Sequence, residues 1–247
     1  MKYAGGQISI GDQPTFHLFG LTFDTTVIIA TLVAAAIVCG LGLRMAAKAT
    51  AGTPGKLQLA FETMVDQVRE LTGSVMGPEG ERWVPLGLVL FFFILVCNWL
   101  EFIPSTLQVG TSQELLPAPT SDVNLPAAMA VAVFLLCQYL AFRTRGFRGY
   151  FGHFTKPLAL MTPINVIEEI TKPITLTFRL FGNLFAGSLM IVVVSVVVSN
   201  PIVSPVATGL WSLVWKPFDT FLIGSIQALI FSLLAIMYIG MATTKEH

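Results

Sequence analysis

Charge is what this sequence has least of. Asp, Glu, Lys and Arg make up only 11% of its 247 residues, against about 25% in an average soluble domain. A water-facing surface needs more than that, so lipid is the expected solvent for most of the chain, in keeping with a mean hydropathy of +0.77. The charges present cancel, with 14 basic and 14 acidic residues. No polybasic tract stands out, which removes the case for a nucleic-acid partner. No phosphate-cradling GxxxxGKS or GxxxxGKT loop occurs, so no nucleotide is expected on this chain. Cysteine is scarce too. Cys39, Cys97 and Cys137 each lie inside an apolar run, with no CxxC pair and no histidine beside them. They read as small apolar residues, and neither a metal nor a cofactor is expected. The opening segment, Met1 to Phe16, is mixed and polar and lacks the apolar stretch of a cleavable leader.

What is present is a series of long uncharged runs. A bilayer core about 30 Å thick takes about 20 apolar residues as helix. The runs predict an all-α integral membrane protein in a single membrane domain. Its parts are an external N-terminal segment over 1–20, span 1 over 21–43, span 2 over 83–104, span 3 over 123–142, a long span 4 over 162–198 and a long span 5 over 205–242. Asn200, Pro201, Ser204 and Pro205 place a turn between the last two. Each of those two segments is longer than one perpendicular crossing requires, so each is expected to tilt, and Lys172-Pro173 and Lys216-Pro217 are expected to kink them. Between spans 1 and 2, Leu57, Phe61, Met64, Val68, Leu71 and Val75 recur at helical spacing, with Glu62, Asp66, Arg69 and Glu70 opposite. This predicts an amphipathic helix over 56–76, placed at the lipid interface or folded back as a hairpin, with the interface favoured.

Basic residues give the sidedness. Arg44, Lys48 and Lys56 follow span 1, and Arg143, Arg145, Arg148 and Lys156 follow span 3, while Ser105 to Asp122 has none. The expected orientation is N-terminus outside and C-terminus in the cytoplasm.

The few intramembrane charges carry the functional argument. A charge at the bilayer centre costs roughly 2.5–3.5 kcal/mol on insertion scales, so such residues face protein or water. Span 4 holds Glu168, Glu169, Lys172 and Arg179. Glu168 and Lys172 are spaced to pair. Arg179 has no acid one turn away on either side, and the chain is uncharged from Leu180 to Trp215. Thr175, Gly182, Asn183, Ala186 and Gly187 stand at helical spacing from it, a set of small and polar residues that lets another helix approach closely. In span 5, Gln227 sits among apolar residues, with Asp219 and Thr220 two turns earlier and Lys216 three residues before Asp219, close enough for a local ion pair.

Arg179-Leu180-Phe181-Gly182-Asn183, followed by Ala186-Gly187, resembles the signature of subunit a of F-type ATP synthases of the bacterial kind. Ile226-Gln227-Ala228-Leu229-Ile230-Phe231 resembles that family's final-helix motif, and Pro163-Ile164-Asn165 and Lys172-Pro173-Ile174-Thr175 resemble its approach to the arginine. The resemblance implies a stator subunit, not itself an enzyme, working against a ring of proteolipid c subunits in a bacterial plasma membrane and held by peripheral-stalk b-type subunits. Arg179 is implied to face the ring carboxylate and to separate two proton half-channels. Thr175, Gly182, Ala186 and Gly187 are implied to contact the ring. Asn183, Gln227, Asp219, Glu168, Glu169, Thr220 and Ser188 are implied to lie along the proton path. Thr220 and Ser188 stand where some members carry an acid or a histidine, which makes Asp219 the candidate for the outer group. The alternative reading is a secondary ion transporter, which should show inverted repeats, and none are visible.

Overall fold

The computed structural model describes residues 15–18, 21–48, 55–102, 119–155, 160, 162–198 and 203–243. The fold is nearly all helical. One short hairpin stands before the first helix, with β1 (Thr15–Leu18) antiparallel to β2 (Leu21–Asp24), Thr15 opposite Asp24 and Leu18 opposite Leu21. Asp24 then starts α1 (Thr25–Lys48), its Oδ1 accepting the backbone N–H of Thr26 at 2.8 Å. An aspartate in this place satisfies an otherwise orphaned amide. The first helix therefore begins later and ends later than the apolar run alone suggests.

α2 (Lys56–Met76) is the amphipathic element. Of the two placements open to it, its contacts are those of a hairpin. Gly77, at φ +63°, reverses the chain, a backbone conformation that L side chains rarely hold. A 3₁₀ segment (Gly77–Trp83) leads into α3 (Val84–Leu100). Phe61 stacks on Phe92 at 5.4 Å, and Val68 is buried with Val84 and Ile236. Gly80 lies so close to Thr72 that an added Cβ would come within 2.8 Å of the Thr72 carbonyl oxygen.

α4 (Asn124–Thr155) follows a 3₁₀ turn (Pro119–Ser121) and is broken at Gly146, φ +70°. α5 (Thr162–Val197) is a 36-residue helix that keeps Pro173 inside it. The last long segment is three pieces. α6 (Val203–Pro217) gives way to a π turn (Phe218–Ile223), and α7 (Gly224–Thr243) completes it. The core lies where α3, α4, α5 and α7 meet, around Phe91, Ile94, Val133, Leu176, Leu180 and Phe231. Gly224, Ala228, Ala235 and Ala242 on α7 are buried, and these small side chains let the neighbouring helices close in. Arg145 reaches across from α4 to donate to the Met241 carbonyl at 2.8 Å, near the end of α7 where carbonyls lack helical partners.

The outer surface is apolar. Leu32, Leu43, Leu135, Phe178 and Leu213 are all at least 60% exposed, as suits a protein with lipid around it. Four stretches among the described residues are long and apolar enough to cross a membrane: Thr25–Lys48, Gly80–Leu100, Asn124–Phe147 and Val206–Thr243. α5 is the further long helix, with no charge after Arg179. The turn expected at Asn200 and Pro201, Lys156 and the first residues of the N-terminal segment lie outside the described residues.

Candidate functional site

α5 has two faces of different character. Leu176 and Leu180 are 2% and 1% exposed, at a spacing of four, and pack into the core. Thr175, Arg179 and Ala186 are exposed on the other side, with Gly182 half-buried beside them, and Phe178 and Phe185 flank the stripe. Glu168 is exposed as well, eleven residues before Arg179, which is three helical turns and the same face. Among the described residues Arg179 makes no ion pair and no hydrogen bond. A guanidinium has five donors and does not lose its proton. Exposed between apolar neighbours, those donors are open to a group outside the described residues.

Gly187 does not join that stripe. It is buried, against Asp219 of the π turn. A Cβ added to Gly187 would overlap the Asp219 carboxylate, with Cγ only 2.7 Å away. The glycine is a notch in which the carboxylate sits, whereas the sequence groups Gly187 with the small-residue face.

The π turn explains why Asp219 is there. Its bonds run one residue longer than in an α-helix, and the Gly224 N–H reaches back to the Asp219 carbonyl. The wider turn puts two consecutive residues inward, so Asp219 is 2% and Thr220 0% exposed. Pro217, which lacks an N–H, stands at the entrance and favours the departure from α geometry.

The expected local pair between Lys216 and Asp219 does not form. Lys216 reaches across to Glu101 at the end of α3, Nζ to Oε1 2.8 Å, with both side chains largely buried. Glu101 and Lys216 are both charged groups in the neighbourhood of Asp219. The other Glu101 oxygen, Oε2, is buried without a partner among the described residues, as are Asn183 Nδ2 and Thr220 Oγ1. Unpartnered buried polar atoms are expensive, and each of them marks a place where water fits.

Asn98 holds this region together. It is fully buried, donates to the Gly224 carbonyl at 2.8 Å and accepts from the Thr120 hydroxyl at 2.8 Å, so it joins α3, the Pro119–Ser121 turn and the start of α7. Asn98→Ala strips both bonds from buried partners, each worth about 1–3 kcal/mol when left unmade. The expected result is a complex that loses activity at a lower temperature, read as the midpoint of thermal inactivation. An unchanged midpoint would remove Asn98 from this role.

The second polar cluster is near the start of α5. The spacing suggested that Lys172 pairs with Glu168; it pairs with Glu169 instead, Nζ to Oε2 2.6 Å. The other Glu169 oxygen accepts from Gln138 Nε2 at 2.9 Å, and Gln138 Oε1 accepts from the Tyr150 hydroxyl at 2.8 Å. These partners turn Glu169 inward and leave Glu168 outside. Burial, and then the Glu169 charge, push the Tyr150 phenol up from its ordinary pKa. Gln227 is half-buried on α7. The side chain of Ser188 lies outside the described residues.

Sequence reasoning passed over Glu101, Asn98 and Gln138. Each was detectable as a polar side chain inside an expected span, the same signal that singled out Arg179.

The family model described as ATP synthase A chain matches residues 28–240. Among curated relatives, a protein of Acidothermus cellulolyticus named ATP synthase subunit a is 38% identical over 238 residues, covering 96% of this chain and 83% of its own. One of Mycobacterium leprae with the same name is 38% identical over 251 aligned positions, covering 98% of this chain and 96% of the relative. One of Bacillus velezensis, again so named, is 33% identical over 246, covering 96% and 99%.

Proposed function

The chain belongs to the ATP synthase A chain family, subunit a of F-type ATP synthases, and from this premise we propose that it is the stator against which a ring of c subunits turns. Arg179 meets the deprotonated carboxylate of each passing ring subunit. The observation that carries this reading is the separation of two polar systems by α5. On its outer stripe stands an arginine with no partner among the described residues, and behind it, in the Gly187 notch, stands a buried acid.

Protons enter through an outer half-channel lined by Asp219, Thr220, Asn183 and Glu101, where buried polar atoms without a partner among the described residues offer sites for water. They leave through an inner half-channel along the exposed stripe from Arg179 past Thr175 to Glu168. Gln227 supports Arg179 from the last helix. Ser188 belongs to the outer path on sequence grounds. Arg179 bars direct passage between the two paths, because its charge survives at any accessible pH. One charge moved through 100 mV supplies about 2.3 kcal/mol, so several protons serve each ATP. The basic residues after spans 1 and 3 put the N-terminus outside a bacterial plasma membrane and the C-terminus in the cytoplasm. Peripheral-stalk b-type subunits hold the stator against the torque.

Disulfide trapping tests the face. With single cysteines at 175, 182 or 186 and one in the outer helix of a c subunit, crosslinks are expected at all three positions. Cysteines at 176 or 180 are expected to give none. The reverse pattern would place the ring on the other side of α5 and sink the assignment.

A further inference from the structure

The cluster at the start of α5 is more than a place where polar groups hide. Gly146 breaks α4, and only that break lets Tyr150 turn back onto Gln138. In a straight helix residues twelve apart lie about 18 Å from one another. Gln138 spends its acceptor on Tyr150 and a donor on Glu169, and Glu169 spends one oxygen on Gln138 and the other on Lys172. The Lys172 ammonium also lies 5.7 Å from the ring centre of Tyr238 on α7. Three helices are thereby tied at one point.

That point is where α5 is weakest. Pro173 has no N–H, so the Glu169 carbonyl loses its helical donor. The Glu169–Lys172 bridge spans the same stretch of helix from outside, and the Thr177 hydroxyl braces the far side by donating to the Pro173 carbonyl at 2.8 Å. Arg179 follows Pro173 by six residues, about 9 Å of helix. A swing of about 10° at the proline displaces a group at that distance by about 1.6 Å.

We propose that Tyr150, Gln138, Glu169 and Lys172 form a clamp across the Pro173 hinge that sets where Arg179 stands against its partner. They are positioning residues, and Glu169 is taken out of the proton path, which leaves Glu168 as the inner acid. The proposal rests on the stator reading of Arg179. A misplacement of about 1 Å at a reacting group can cost up to about a hundredfold in rate.

The test uses the whole complex, purified and reconstituted in vesicles, with Gln138→Leu, Glu169→Gln and the exchange variant Gln138→Glu with Glu169→Gln. Assembly, ATP hydrolysis and protons pumped per ATP are read together. Gln138→Leu is expected to assemble at the wild-type level and to pump roughly tenfold fewer protons per ATP. The exchange variant restores each bond. The carboxylate it places at position 138 accepts from Tyr150 and from the new amide at position 169, and the oxygen of that amide accepts from Lys172. Recovery of the coupling ratio is expected. Wild-type coupling in Gln138→Leu overturns the clamp. So does a loss that only tracks reduced assembly, and so does a loss in Glu169→Gln that the exchange fails to rescue. Arg179→Ala run alongside separates the failures, because full pumping there overturns the stator reading itself.

Discussion

Arg179→Ala is expected to abolish ATP-driven proton pumping while leaving the complex assembled. The two halves of this expectation have separate causes. Arg179 makes no hydrogen bond or ion pair among the described residues and stands exposed on α5, so its removal breaks no bond among them. Taking a charge off an apolar helix relieves an insertion cost of roughly 2.5–3.5 kcal/mol, so the folded subunit loses no stability. Function is a different matter. In the proposed mechanism, with no fixed positive charge on the stripe, a ring carboxylate has no reason to shed its proton there, and nothing bars a proton from passing between the two half-channels. Dye quenching in inverted vesicles is expected to show no ATP-dependent acidification, with subunit content at the wild-type level. Arg179→Lys keeps a positive charge but loses the planar fork, and an ammonium is able to deprotonate when desolvated. It is expected to fall close to the alanine variant. Pumping at full rate in Arg179→Ala would end the mechanism proposed for this chain.

The chain's helices were legible because lipid imposes a simple rule. Every backbone group in the membrane needs an internal partner, so apolar length translates directly into helix. Polar side chains at the span ends were harder to read. Asp24 caps α1 and moves its start past the beginning of the apolar run. Gly146 breaks a helix that the apolar pattern ends near Phe142, and the chain stays helical beyond it to Thr155. Arg179 and its stripe were visible because one charge in a long uncharged run is conspicuous. Its neighbour Gly187 was not separable from that stripe, because a residue eight positions on lies about 80° around a helix and spacing alone does not say where the face ends. Partners distant in sequence were out of reach. Lys216 has Asp219 three residues away and yet bonds Glu101, which is 115 residues distant. Local spacing offered the first pair, and only the packing of α3 against the π turn supplies the second. The choice of Glu169 over Glu168 for Lys172 has the same origin, since Gln138 of a different helix turns Glu169 inward.

Gly187→Ala is the other substitution expected to be severe, and its cause is purely one of space. The added methyl would occupy the volume of the Asp219 carboxylate, whose Cγ lies 2.7 Å and Oδ1 3.1 Å from the new atom. Asp219 is short, is itself buried and stands in a π turn whose backbone bonds fix its position, so the carboxylate cannot simply fold aside. Either α5 moves away from the last helix or Asp219 leaves the notch. Overpacking of this kind costs about 1–3 kcal/mol, and at about 1.4 kcal/mol per factor of ten the proton-handling arrangement becomes a minor population. Pumping is expected to fall by roughly tenfold or more, with assembly less affected. A double-mutant cycle shows whether the notch and the carboxylate are one device. Asp219→Ala alone removes the acid and is expected to slow pumping strongly. In that background Gly187→Ala has nothing to displace, so its further effect should be small, because residues in contact are not additive. If the two substitutions instead lower pumping independently, the notch serves helix packing alone, and the outer path does not run through the Asp219–Gly187 contact.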